Sequence, residues 1–196
     1  MSVVLVDAGG ANIGSVRYAL QRLGVDAALT SDAATIRAAD KVILPGVGAA
    51  GPGMARLRAL GLVDLLRTLT RPVLGVCLGM QLLCTHSEEG DVECLGVVPG
   101  LVRRFTETDR LRVPHMGWNR LLARREHPLL AGLGDDDQAY FVHSYAVPVG
   151  DDTLATADHG GAFSAVIAHG NFHGMQFHPE RSAAVGARLL KNFLAL

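Results

Sequence analysis

Short apolar runs, each followed by a stretch of helical spacing, constrain this chain more than any other feature of it. Val3-Val4-Leu5-Val6-Asp7 opens the series, and residues 25–29, 41–44 and 72–76 repeat it. Continuous β-branched runs of that length suit strands buried on both faces. Between them, Val16, Ala19, Leu20 and Leu23 fall at helical spacing within residues 15–23, and Gly24 ends that helix. Ser31 is placed to N-cap a short helix. Residues 55–69 read as helix with a break near Gly61, and another helix runs over 78–85 directly behind the fourth strand. This strand–helix alternation predicts an α/β fold with a parallel sheet and helices on both faces.

The second half has a different rhythm. Residues 97–105, 138–147, 153–157 and 162–169 read as strands with few helices between them, 175–177 as a short strand, and 183–194 as a closing helix. An antiparallel portion of the sheet is expected here. Residues 103–113 are polar and read as a loop. Neither an internal repeat nor an interdomain linker interrupts the chain, and 196 residues suit one domain over 1–196.

Charge and cysteine usage narrow the function. A formal net charge of -1 without a Lys or Arg run argues against a nucleic-acid surface. No charged segment precedes an apolar one at the N-terminus, and no apolar run approaches the ~18 residues of a membrane span, so neither a signal peptide nor membrane insertion is expected. Cys77, Cys84 and Cys94 are odd in number and lack C-x-x-C spacing. A reduced, cytoplasmic setting fits them, and no metal or cofactor is expected.

The chemistry concentrates in Gly75-Val76-Cys77-Leu78-Gly79, at the junction of the fourth strand and its helix. It has the form of a nucleophile elbow with Cys in place of Ser. The turn is sharp and strains the nucleophile's backbone, so its neighbours must be small. The sulfur stands where a helix dipole favours the thiolate, and the Leu78 N–H points to the same place as a candidate oxyanion donor. Cys84 and Cys94 lack this setting and read as structural. A cysteine nucleophile needs an imidazole and a group to orient it. Gln176-Phe177-His178-Pro179-Glu180 supplies both. Pro179 disfavours helix at His178, and in an extended segment His178 and Glu180 project from one face. His86, His115, His127, His143, His159, His169 and His173 read as surface, loop or internally satisfied histidines.

Gly75-Val76-Cys77-Leu78-Gly79-Met80-Gln81 together with Phe177-His178-Pro179-Glu180 resembles the class I (triad) glutamine amidotransferases over nearly the whole chain. Within them, Pro45-Gly46-Val47-Gly48-Ala49, Pro114-His115-Met116-Gly117-Trp118-Asn119 and Tyr140-Phe141-Val142-His143-Ser144-Tyr145 are similar to the glutaminase subunits of imidazole glycerol phosphate synthases. The resemblance implies a three-layer, flavodoxin-like fold and hydrolysis of L-glutamine to glutamate and ammonia. It also implies a heterodimer with a cyclase subunit, a (β/α)8 barrel that uses the ammonia in histidine biosynthesis. It makes Cys77 the nucleophile, His178 the base and acid, and Glu180 the orienter. Gly46 and Val47 join Leu78 at the oxyanion. Gly48, Gln81, Glu89, Ser144 and Tyr145 hold the glutamine, with Glu89 on its α-ammonium. Asn12, Met116, Trp118, Tyr140 and Arg181 face the cyclase, Arg181 standing where the family often has Lys. Rival readings are the same chemistry feeding another synthase, a stand-alone cysteine hydrolase, and a non-catalytic regulatory subunit.

Overall fold

The computed structural model describes residues 1–9, 13–109 and 111–196. The first half runs β1 (Val3–Val6), α1 (Ile13–Arg22), β2 (Ala28–Thr30), α2 (Ala33–Ala38), β3 (Lys41–Gly46), α3 (Ala50–Ala59), α4 (Val63–Arg67), β4 (Val73–Cys77) and α5 (Leu78–Leu83). The second half is β5 (His86–Ser87), β6 (Val92–Glu93), β7 (Leu101–Arg104), β8 (His115–Arg120), β9 (Leu122–Ala123), β10 (Gln138–His143), β11 (Tyr145–Ala146), β12 (Thr153–Asp158), β13 (Ala162–His169), β14 (Phe172–Met175) and α6 (Ala183–Ala195).

An eight-stranded sheet is ordered β2-β1-β3-β4-β14-β13-β12-β9. Its β2-to-β14 portion is parallel, and β13, β12 and β9 add antiparallel. This is the mixed, mostly parallel sheet expected, with the flavodoxin-like order in its parallel part. Both faces are covered, which is why β1 and β4 are buried at every position. Val3, Leu5, Ile43, Leu74 and Val76 pack beneath α1 and α6 with Val16, Leu20, Leu189 and Phe193. Val4, Val6, Val42, Leu44 and Val73 face the opposite way, against Ile36, Met54, Leu57, Leu66 and Met80. Two smaller sheets, β10-β8 and β11-β7-β5-β6, stand apart from the large one.

Several boundaries differ from the sequence reading. α3 begins at Ala50, ahead of the expected residue 55. Gly51, Pro52 and Gly53 look like breakers, but a proline in the first helical turn loses no bond, because that N–H has no partner within the helix. Asp32, not Ser31, caps α2, its carboxylate accepting from the Thr35 amide at 2.8 Å. The expected strand over 138–147 is broken at Ser144 into β10 and β11, which join different sheets. The expected strand over 175–177 lies earlier, as β14. β5, β6 and β8 form where no strand is expected, and the expected strand over 97–105 is realised as the shorter β7.

Candidate active site

β4 ends and α5 begins at Cys77, whose φ of 54° and ψ of -113° are strained for a residue with a side chain. The elbow exists because its glycines let three backbone segments touch. A Cβ on Gly79 would lie 1.8 Å from the Leu44 carbonyl oxygen on β3, and one on Gly75 would lie 2.5 Å from the Gly79 oxygen. A Cβ on Gly46 would meet the Gly79 nitrogen at 2.8 Å and the Leu78 Cβ at 3.0 Å. Gly46 is also the ladder partner of Cys77. The three oxyanion candidates Leu78, Gly46 and Val47 therefore sit around the nucleophile, and Gly48 follows with a φ of +98°.

His178 and Glu180 meet beside this elbow, with Nδ1 of the imidazole 2.9 Å from the Glu180 carboxylate, and both side chains are almost wholly buried. They do not share one face of an extended strand. His178 is extended, but Pro179–Arg181 forms a 3-10 turn that folds the carboxylate back onto the ring. The His178 backbone is clamped to β10: its N–H donates to the Tyr140 carbonyl at 2.9 Å, and its carbonyl accepts at 2.7 Å from the Ser182 hydroxyl, which itself accepts from the Tyr140 N–H at 2.9 Å. Burial alone would push the imidazole pKa down. Hydrogen bonds and charge from Cys77 and Glu180 outweigh that and hold it up at about 10. The ring thus bridges the sulfur and the carboxylate, as a nucleophile–base–orienter set requires.

A cavity of about 230 Å³ opens onto Cys77 and His178. Its walls include Gly48, Gln81, Glu89, Ser144 and Tyr145, together with Val47 and Leu78. It is smaller than the ~300–1,000 Å³ of drug-sized sites and suits a small metabolite. Glu89 is fixed at its rim by the Ala50 N–H, 2.8 Å from Oε2. A larger, open groove of about 640 Å³ beside Arg124, Arg125 and His127 contains none of these groups.

Sequence reasoning missed a chain of polar groups that starts at His143 and Tyr145 on the cavity wall and runs behind it. His143 Nδ1 lies 2.8 Å from the Tyr145 carbonyl, which can only accept, so that nitrogen carries the proton. Nε2 of His143 then accepts from Nδ1 of His115 at 3.0 Å, and Nε2 of His115 accepts from the Asn119 amide at 3.1 Å. The other Asn119 hydrogen goes to the Asp158 carbonyl at 2.7 Å. Burial, with lesser contributions from neighbouring histidines, pushes His115 down to about 4 and His143 to about 3, so both are neutral acceptor–donor links. No local sequence signal marked the pair, because β8, which aligns His115 with His143 on β10, was not expected as a strand.

The same two strands gather most of the remaining candidates. Trp118 pairs with Tyr140, their rings edge to face at 6.1 Å, and Met116 lies opposite Val142. Met116 and Trp118 are 64% and 53% exposed, too much for core residues. The Arg181 guanidinium sits 4.6 Å from the centre of the Tyr140 ring. Asn12 lies outside the described residues.

Comparison with known proteins gives a consistent result. Residues 4–196 match the family described as glutamine amidotransferase class-I. The imidazole glycerol phosphate synthase subunit HisH of Xanthomonas axonopodis pv. citri (strain 306) is 62% identical over 194 residues, 99% of this chain and 97% of that protein. The same subunit of Xanthomonas euvesicatoria pv. vesicatoria (strain 85-10) is also 62% identical over the same shares. A crystal structure titled glutamine amidotransferase superposes with a TM-score of 0.77 at 22% identity, covering 100% of this chain and 98% of that one.

Proposed function

Because this chain belongs to the class-I glutamine amidotransferases, we propose that it is the glutaminase subunit of an imidazole glycerol phosphate synthase. Residues 1–196 act as one domain that hydrolyses L-glutamine and passes ammonia to a cyclase subunit in histidine biosynthesis. The observation that carries this reading is a cavity lined by Cys77, by His178 with its Glu180 partner behind it, and by the Glu89 carboxylate. A cavity that offers both a carboxylate and a nucleophile fits an amino acid held by its α-ammonium.

His178 takes the Cys77 proton, and the sulfur adds to the glutamine Cδ. The oxyanion falls to the Leu78 N–H and the Gly46–Val47 segment, each donor worth about 3 kcal/mol in comparable acyl transfers. As the C–N bond breaks, the imidazolium gives its proton to the leaving nitrogen and ammonia departs. An imidazole held at about 10 is a reluctant acid, but much of that elevation comes from Cys77. Once the sulfur is bonded to carbon that contribution is gone, and His178 releases its proton more readily. Water, deprotonated by His178, then cleaves the thioester to glutamate, and His178 returns that proton to the departing sulfur.

The cyclase, a (β/α)8 barrel, docks as the second half of a heterodimer on the face of Met116, Trp118, Tyr140 and Arg181. Support for this face is its exposed aromatic surface and its direct backbone link from Tyr140 to His178. The three free thiols suit the cytoplasm. The test is glutamate release from glutamine by the chain alone, then with a cyclase subunit and its nucleotide. Stimulation by both is expected. The Cys77→Ala variant should release no glutamate yet still fold and dock; glutamine turnover by that variant would sink the assignment.

A further inference from the structure

We infer that Gln176 is an anion-stabilising donor to the Cys77 sulfur, held in that orientation by Gln81 and the carbonyl of Tyr145. The inference deepens the glutaminase reading and rests on it for its role in turnover. Gln176 is wholly buried, its backbone N–H bonded to the Ala165 carbonyl at 2.9 Å. Its Nε2 lies 3.8 Å from Cys77 Sγ, and its Oε1 lies 3.0 Å from Gln81 Nε2.

The orientation of both amides follows from a fixed point. The Tyr145 carbonyl can only accept, and it lies 2.9 Å from Gln81 Nε2. Gln81 therefore presents its NH2 group to that side, and its second hydrogen faces Gln176. Gln176 must answer with its oxygen, which leaves its own NH2 turned to the sulfur. Reversing either amide would set oxygen against oxygen or N–H against N–H. His143 Nδ1–H donates to the same Tyr145 carbonyl and takes its second lone pair, so the fixed point is saturated.

Sulfur bears negative charge twice in the cycle, before it adds to glutamine and again as the thioester breaks. A hydrogen bond to the charged form favours that form. His178 supplies such a bond, but it must also give its proton away to ammonia. The Gln176 amide does not titrate, so its N–H serves the anion at both stages. It is not among the cavity walls, so contact with substrate does not explain it.

The test uses the full chain carrying Gln176→Met or Gln176→Leu, each without a donor. Cys77 alkylation by iodoacetamide is followed from pH 5 to 10, with mass spectrometry to locate the label. Burial holds the Cys84 and Cys94 thiols up at about 12 and 11, so both stay unlabelled in the folded protein. In a folded variant the curve of rate against pH should move up by about one unit, with rates near pH 7 about tenfold lower. The kcat for glutamine should fall by a similar factor while KM holds. A curve superimposable on that of the unmodified protein overturns the inference. Should both variants lose their fold, the unmodified protein decides: the Gln176 side-chain amide protons must shift by NMR with the same midpoint as alkylation, and no shift overturns it. Alkylation needs no glutamine. A chain that fails to turn over glutamine but keeps the variant effect refutes the glutaminase reading alone, and the converse result refutes this inference alone.

Discussion

Replacing Gly79 by Ala adds one methyl group at the point where α5 rests on β3. That Cβ would stand 1.8 Å from the Leu44 oxygen and 2.9 Å from the Leu44 carbon, and separations under 3.0 Å are essentially never seen. The two backbones must therefore part by at least 3.0 − 1.8 = 1.2 Å. A side chain could swing aside; here the obstacle is main chain, and Leu44 is laddered to Gly75 on β4. Overpacking costs ~1–3 kcal/mol, and without side-chain relief the upper end is expected, about 3 kcal/mol. In a chain of this size that lowers Tm by roughly 6–12 °C. The same displacement separates Gly46–Val47 from Cys77–Leu78, and a ~1 Å misplacement costs about a hundredfold in rate. Thermal unfolding and glutamate release are measured on the same preparation. Gly51→Ala is the control: the same methyl on α3 meets nothing within 4 Å and should leave Tm unchanged or raise it, through a gain of about 0.5 kcal/mol. If Gly79→Ala matches the parent in both Tm and rate, the close approach of Leu44 and Gly79 is not what shapes the elbow.

Acid and alkali should destabilise the fold for opposite reasons. His115, His143 and His173 are pushed down to about 4, 3 and 4, chiefly by burial, so below about 6.5 the unfolded chain binds protons that the fold refuses. Each costs roughly 1.4 kcal/mol per pH unit, about 2 kcal/mol by pH 5, and even half the sum of three is a large share of ~5–15 kcal/mol. His178, raised to about 10, contributes fully below 6.5 and loses that contribution as pH rises towards 10. Urea midpoints at pH 5, 7 and 9 should peak at 7; a midpoint as high at pH 5 as at 7 would contradict the neutral assignment of the three histidines. Trp118→Ala should cost less than about 1 kcal/mol of stability, since the ring is half exposed. It should weaken cyclase binding roughly thirtyfold, as an aromatic interface anchor does, measured by titration calorimetry.

The parallel half of the fold was legible because strands buried on both faces leave an unbroken apolar trace: Val3 to Val6 is buried at every position, and so is Val73 to Cys77. The elbow was legible for a related reason, since a close approach of backbones leaves glycines at fixed offsets around Cys77. His178 and Glu180 were legible as a pair, although a turn rather than an extended strand brings them together. The cavity walls were not. Gln81, Glu89 and Tyr145 come from three elements with no shared period, and only the family resemblance connected them. Gln176 stands two residues before His178, yet nothing local reveals that its amide orientation is dictated from Tyr145.

β8 was missed because its pattern is inverted. His115-Met116-Gly117-Trp118-Asn119-Arg120 exposes its large apolar side chains and turns His115 and Asn119 towards the protein. Reading hydrophobicity as burial places such a strand in a loop. The inversion is affordable only because the inward polar atoms form a closed chain, Asn119 to His115 to His143 to the Tyr145 carbonyl, in which every donor has one direction. A buried polar group without a partner would cost ~1–3 kcal/mol, so breaking any link penalises the others. An apolar face can therefore be turned outward here without loosening the wall behind it. That is the combination a docking strand next to a catalytic cavity needs: the proposed cyclase meets Trp118 and Met116, while His115 on the reverse side of the same strand bonds His143, whose Nδ1–H reaches the Tyr145 carbonyl that orients Gln81 and, through it, Gln176 against the nucleophile.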